Sequence, residues 1–245
     1  MSHRAFTCLA VGVVVVCGWA GPTAGAETRT GGVSPPTWEV LSRGVAFSNS
    51  AHPVRTSRVR VRPSRKARII DRLRLFTEDG FAEIYLLLLR RTTRHGTWIR
   101  IGLPGRPNGR KGWVPRSALG GFRRSTGAVV INRAARRLTF FRGGRVSWSA
   151  PAGIGAPGTP TPAGRFWVRE QFPVRPGSIY GSYAFGTSAY SRLSEWPGGG
   201  VIGIHGTDSP WLIPGRPSHG CIRLRNAAIR RLAGQLTTGA TVLIR

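Results

Sequence analysis

The chain has 245 residues, with 37 lysines and arginines against nine acids and a formal net charge of +28. Of its three cysteines, Cys8 and Cys17 fall in a segment expected to be removed, so the mature protein keeps Cys221 alone and has no disulfide framework. What remains is long enough for two small domains or one large one. At the N-terminus, Arg4 precedes an uncharged, largely apolar stretch from Ala5 to Ala20, and Ala24-Gly25-Ala26 offers a small-x-small cleavage pattern. This predicts an export signal over residues 1–26, cleaved after Ala26, so that the membrane is met only in transit. The competing reading is an uncleaved anchor, since no charge appears between Arg4 and Glu27; Gly21, Pro22 and Gly25 interrupt that stretch.

Arginine carries almost all the positive charge, because Lys66 and Lys111 are the only lysines. Such a balance suits a polyanionic partner, and an exported protein meets anionic cell-wall polymers before it meets nucleic acid. The even spread of arginines fits a compositional bias equally well, and no nucleic-acid partner is expected.

Residues 27–38, rich in Thr, Gly, Ser and Pro, read as a linker. Short apolar or alternating stretches separated by Gly and Pro then dominate, the pattern of a mostly β protein. Within 39–119, Val59-Arg60-Val61-Arg62 and Trp98-Ile99-Arg100-Ile101 alternate at strand spacing, and Ile84 to Leu89 has the continuous apolar character of a buried strand. The turn at Pro107-Asn108-Gly109, followed by Gly112-Trp113-Val114-Pro115, resembles the last hairpin of a bacterial SH3-like domain. Trp98 and Trp113 are assigned to the core of that small barrel in preference to ligand stacking.

A second unit, 127–245, opens with a strand at Ala128–Asn132 and a hairpin partner at Arg137–Phe141. The strand Val146-Ser147-Trp148 follows, then a Gly/Pro-rich loop from Gly153 to Phe166 and the strand Phe166–Arg169. Near the C-terminus, Asn226 is a candidate N-cap for a short amphipathic helix carrying Ile229, Leu232, Ala233 and Leu236, broken by Gly239. A strand at Ala240–Ile244 closes the chain.

The chemistry concentrates in Ser218-His219-Gly220-Cys221-Ile222-Arg223-Leu224 and in Ile204-His205-Gly206-Thr207. A free thiol ionises at pKa ~8.5, so a nucleophilic Cys221 needs a base or a positive field. The helix start downstream supplies a favourable field. If 202–205 and the segment entering 221 are neighbouring strands, His205 lies across from the thiol; on one extended strand His219 and Cys221 share a face. Gly220 allows a tight turn that presents backbone N–H groups to an oxyanion.

These segments resemble the signature of the L,D-transpeptidases with a YkuD-type catalytic domain. Asn132, the Arg136-Arg137-Leu138 hairpin and Gly158-Thr159-Pro160-Thr161-Pro162-Ala163-Gly164-Arg165-Phe166 extend the likeness across 127–245. The resemblance implies a flattened β-sandwich and cysteine acyl transfer on peptidoglycan stem peptides. Cys221 would attack the carbonyl at the L-centre of the diamino acid at stem position three, release D-Ala and pass the acyl group to a neighbouring stem as a 3→3 cross-link. His205 maps onto the proton acceptor and donor, its ring oriented by a backbone carbonyl near Gly206. His219 and Gly220 map onto the oxyanion side, and Ser218 and Arg223 onto the donor pocket. Tyr180 and Tyr190 are placed at the substrate border.

Gly198-Gly199-Gly200 and the Pro210-Trp211 loop read either as a substrate lid or as ordinary loops. Asp208 is either a histidine-orienting acid or a solvated loop residue. His52 and His95 lack metal-ligand spacing, no metal is expected with one cysteine and no clustered carboxylates, and no cofactor is expected without a phosphate-cradling glycine motif. Two further functions stay open: an L,D-carboxypeptidase on the same scaffold, and a non-catalytic wall-binding protein.

Overall fold

The computed structural model describes residues 37–195 and 197–245. The segments read as export signal and linker up to residue 36 lie outside the described residues. The chain is mostly β, with one short α-helix.

The first sheet holds β1 (Thr37–Val40), β2 (Ser48–Ala51), β3 (Arg58–Arg60), β4 (Ile69–Arg72), β5 (Tyr85–Thr93), β6 (Gly96–Gly102), β7 (Lys111–Pro115) and β8 (Arg123–Ser125). Its order is β4-β3-β7-β6-β5-β2-β8, with β1 also on β5, and every pairing is antiparallel. The apolar run at Ile84–Leu88 is continuous because both faces are covered. Tyr85 and Leu87 enter the core of the first sheet, whereas Ile84, Leu86 and Leu88 pack on Trp167 of the second. Trp98 and Trp113 are buried, as their core assignment predicts, and Trp113 meets the ring of Trp38 edge-on.

The second sheet is mixed. It holds β9 (Gly127–Asn132), β10 (Arg137–Arg142), β11 (Arg145–Pro151), β12 (Gly153–Gly155) and β13 (Gly164–Pro173). It continues with β14 (Tyr183–Tyr190), β15 (Val201–His205), β16 (Gly215–Ser218), β17 (Ile222–Arg223) and β18 (Thr241–Ile244), in the order β11-β10-β9-β18-β13-β14-β15-β17-β12-β16. Strand β13 curls it: Gly164–Trp167 pair with β18, and after an irregularity between Val168 and Glu170 the rest pairs with β14. The two half-sheets thus share one strand and close over a single core of Val129, Phe140, Phe166, Phe185, Ile204 and Val242.

The helix α1 (Asn226–Ala233) covers that core with Ile229 and Leu232, as the apolar spacing predicts. Its ends differ from expectation. Arg225 occupies the N-cap position without a side-chain cap, because the Asn226 amide is engaged elsewhere, and the helix stops at Gly234, before Gly239. Gly239 instead makes a left-handed turn into β18 (φ +80°), where Ser50 of the first sheet leaves no room for a Cβ.

The described residues form one compact unit in which polar contacts join the two sheets. Trp167 Nε1 donates to Ile84 O (2.7 Å), and Asn108 bonds both the N–H and the C=O of Tyr190 (2.9 and 2.8 Å). Arg169, with a side chain 1% exposed, forks onto the fully buried Glu83 and reaches Glu78 (2.8 Å) and the Tyr190 hydroxyl (3.0 Å). Burial alone would raise the Glu78 carboxyl; the Tyr190 hydroxyl, Arg169 and Arg74 outweigh it and hold the group at about 2.

Candidate active site

Cys221 lies between β16 and β17, in a turn whose carbonyls are all occupied. Ser218 O accepts from Ala156 N (2.8 Å), His219 O from Ser191 Oγ (3.0 Å) and Gly220 O from Thr161 Oγ1 (2.7 Å). Cys221 O accepts from Ser218 Oγ (2.6 Å). Gly220 sits at φ +129°, and a Cβ there would lie 2.6 Å from Ile202 Cδ1, so the turn favours glycine. The chain therefore does not run extended from His219 to Cys221 as a shared-face strand requires; the bend at Gly220 separates them. Gly220 N–H donates to Ser218 Oγ (3.2 Å), which engages within the turn the donor expected to face an oxyanion. Ser218 is likewise buried, its hydroxyl shared between Cys221 O and Gly220 N–H, so it braces the Cys221 loop.

The neighbouring-strand condition for His205 is met. β15 and β17 run parallel, with Ile204 opposite Ile222 and His205 opposite Arg223. Gly203 N–H donates to Cys221 Sγ (3.4 Å). A methyl built on Gly203 would lie 3.7 Å from His205 Cδ2 and 3.9 Å from Cys221 Sγ, so thiol and imidazole converge over a bare backbone. These are ordinary van der Waals separations. Gly203→Ala is expected to fold normally, as circular dichroism would show, yet to slow acylation of Cys221 by about 10²-fold, because the methyl fills the space beside thiol and imidazole that a substrate carbonyl needs; an unchanged rate would show that the space above Gly203 is not used.

His205 is buried and held in one tautomer. Its Nδ1 lies 2.6 Å from Gly206 O, as expected for the orienting carbonyl, so Nδ1 carries the proton and Nε2 presents a lone pair. Burial lowers its pKa to about 4; the Gly206 bond opposes this and Arg223 adds to it. Burial also pushes the Cys221 thiol up, against the opposing effects of Gly203 N–H and Arg223. The expected thiolate-favouring helix field is thus outweighed: β17 separates Cys221 from α1, and the site at neutral pH holds a neutral thiol beside a neutral imidazole.

The rest of the assigned set divides. Tyr180 sets its ring edge-on to His205 (centroids 4.9 Å, 76°) and is partly exposed. His219 is exposed and lines, with Arg223, Ser218 and Cys221, a small cleft of about 40 Å³ on one side of the thiol. Arg223 Nε is buried there without a hydrogen-bond partner among the described residues. Tyr190 does not reach the thiol; it is 5% exposed, bonded to Glu78 and Arg169, and stacked under Arg106 (5.2 Å). Its place in the loop before His205 proved to be the end of β14, which turns it to the first sheet. Asp208 is exposed and bonds Ser209 Oγ (2.9 Å), with no contact to a histidine. The glycine run is held by Arg106, which donates to Leu193 O (2.8 Å) and Gly199 O (3.0 Å). Trp211 stands 75% exposed.

Sequence reasoning missed the bracing residues. Thr161, from the Gly158–Phe166 segment, and Ser191 hold the turn that carries Cys221. Asn226 accepts from Ser182 N (3.2 Å) and Thr207 N (3.3 Å) and donates to Thr207 O (3.0 Å). Its Oδ1 sits 2.2 Å from where a Cβ would stand on either Gly181 or Gly206. It therefore ties together the two segments, one carrying Tyr180 and one carrying Gly206 O, that hold the His205 ring. A larger cleft of about 280 Å³ opens on the other side of the thiol, lined by Gly203, His205, Tyr180, Phe172, Glu170 and Asp79 among others. Among the described residues no group of three or more His, Cys, Asp or Glu side chains is placed to hold a metal ion.

Residues 126–244 match the family model described as the L,D-transpeptidase catalytic domain, YkuD. Over 116 residues the chain is 31% identical to YkuD of Bacillus subtilis (strain 168), a match covering 47% of this chain and 64% of that one. YkuD of Bacillus licheniformis is 30% identical over the same shares. The chain thus spans just under two thirds of the length of these curated relatives. A solved L,D-transpeptidase from Xylanimonas cellulosilytica DSM 15894 is 26% identical, with 49% of this chain and 61% of that one covered and a TM-score of 0.37. The C-terminal part of this chain, residues 126–244, thus matches the YkuD-type L,D-transpeptidase catalytic domain.

Proposed function

We propose that the protein is an exported peptidoglycan L,D-transpeptidase that forms 3→3 cross-links. The observation that carries this is the convergence of the Cys221 thiol and the His205 imidazole over Gly203, in a domain of this family. His205 Nε2 takes the thiol proton as Cys221 Sγ attacks the carbonyl at stem position three, so that no standing thiolate is needed. The tetrahedral intermediate collapses as His205 returns the proton to the departing amine, and D-Ala leaves. A neighbouring stem's amine then attacks the thioester, passing its proton through His205 and freeing the thiol. Tyr180 covers the ring, and Arg223 and His219, on the opposite cleft, face the developing oxyanion and the peptide carboxylates. The first sheet serves as an SH3-like wall-binding module, and the arginine surplus favours anionic wall polymers.

Intact-protein mass spectrometry of the full chain with a disaccharide-tetrapeptide donor tests this, beside a Cys221→Ala control. D-Ala release with a cross-linked dimer, lost in the control, is the expected result. Tripeptide alone under ample acceptor would make the protein an L,D-carboxypeptidase. No adduct and no turnover would leave a wall-binding protein.

A further inference from the structure

The larger cleft beside the thiol is not built from the catalytic domain alone. Its lining includes Asp79, from the turn at residues 77–83 between β4 and β5, which is closed by Thr77 N–H to Phe81 O (2.7 Å) and Gly80 N–H to Thr77 O (3.2 Å). That turn is docked on β13: Phe81 stacks on Phe172 (5.5 Å, 9°), and Thr77 Oγ1 donates to Glu170 Oε2 (2.6 Å). Across the sheet, Glu170 faces Gly186, where a Cβ would lie 2.3 Å from its Oε1; the bare strand lets the carboxyl lie over it.

Charge distribution makes this corner unusual. The chain has nine acids, and Glu78, Asp79, Glu83 and Glu170 all meet here. Arg74 and Arg169 neutralise Glu78 and Glu83. No lysine or arginine forms an ion pair with Asp79 or Glu170 among the described residues, in a chain with 37 of them. Both acids line the cleft that Cys221 and His205 also line, and Glu170 is 4% exposed. A buried carboxyl left without an ion pair in a substrate-sized cleft fits a ligand that brings its own cation.

We propose that the 77–83 turn of the first domain completes the acyl-donor cleft, and that Asp79 and Glu170 receive an ammonium group on the donor side chain next to the carbonyl attacked by Cys221. The proposal rests on the acyl-transfer reading above. It gives the first domain a part in substrate choice, and it selects donors with a free side-chain amine over those whose amine is capped. The state of Glu170 agrees: burial first, and then Asp79, push its carboxyl up to about 7, against Thr77 and Arg169, as expected of a pair awaiting a positive partner.

The test compares two tetrapeptide donors differing only at the third residue, one with a free side-chain amine and one with that amine acetylated. Acylation of Cys221 is followed by intact mass in the full chain. The free-amine donor is expected to have a kcat/KM about tenfold higher or more. In the Asp79→Asn/Glu170→Gln double variant the ratio should fall toward one through KM of the free-amine donor, with the acetylated donor unchanged, a result that loss of folding would not produce. Equal acylation by both donors in the unaltered protein overturns the subsite and leaves the acyl transfer intact. Should neither donor acylate Cys221, calorimetric binding of the two peptides to Cys221→Ala decides alone. Preference for the free amine there, lost in the triple variant, supports the subsite without the chemistry; equal binding overturns it.

Discussion

Replacing His205 with glutamine is expected to slow acylation of Cys221 by about 10²- to 10⁴-fold while leaving the domain folded. The burial that lowers the ring's pKa to about 4 also raises the thiol, so substrate attack depends on proton transfer at the moment of bonding and not on a preformed thiolate. The pH profile carries the same prediction. The ring is protonated only below about pH 4, so its basic form is present from there upward, and the acid limb of single-turnover acylation should fall near pH 4. A limb near 6.5, the value of a solvated imidazole, would mean that His205 is open to water in the working enzyme. Circular dichroism across the same range separates that limb from acid unfolding.

Arg169→Met is expected to be the most destabilising single change, at about 3–5 kcal/mol, because it strands the carboxylate of Glu83 with its side chain fully buried. For a chain of this size that corresponds to a drop in Tm on the order of 10 °C. The companion Arg169→Met/Glu83→Leu variant should recover much of the loss, since removing both charges leaves neither unpaired. Urea unfolding reads both. A loss below 1 kcal/mol in the single variant would show that water reaches Glu83 and that the junction is looser than its hydrogen bonds indicate.

The two halves of the molecule were legible in the sequence to different depths. Strands at Ala128–Asn132, Arg137–Phe141 and Trp98–Ile101 follow from local alternation and turn residues, and each appears. The amphipathic stripe of α1 was equally plain, but its ends were not. Asn226 has the chemistry of a cap, and in the fold its amide is spent on Ser182 and Thr207 because Gly181 and Gly206 approach it closely. Capping preference is a local energy of about 1 kcal/mol, and three half-buried hydrogen bonds to other segments outweigh it. Tyr190 shows a related effect: its sequence position lies near His205, but strand β14 points the hydroxyl to Glu78, in the connection between β4 and β5.

At the candidate site, Cys221, His205, His219 and Arg223 stand close together in sequence, and the parallel pairing of β15 with β17 keeps them close in space. The sequence by itself determined the mostly β class, the candidate nucleophile and base, and the strong basic charge. All three rest on residue type, short-range period or composition, which need no knowledge of distant contacts. Only the tertiary structure decided the protonation state of that pair, the hydroxyls that brace the nucleophile turn, and the joining of Asp79 to Glu170 in one cleft. Those depend on burial and on contacts between residues as far apart as Thr77 and Glu170, and a low local dielectric acts only once the chain has closed around them.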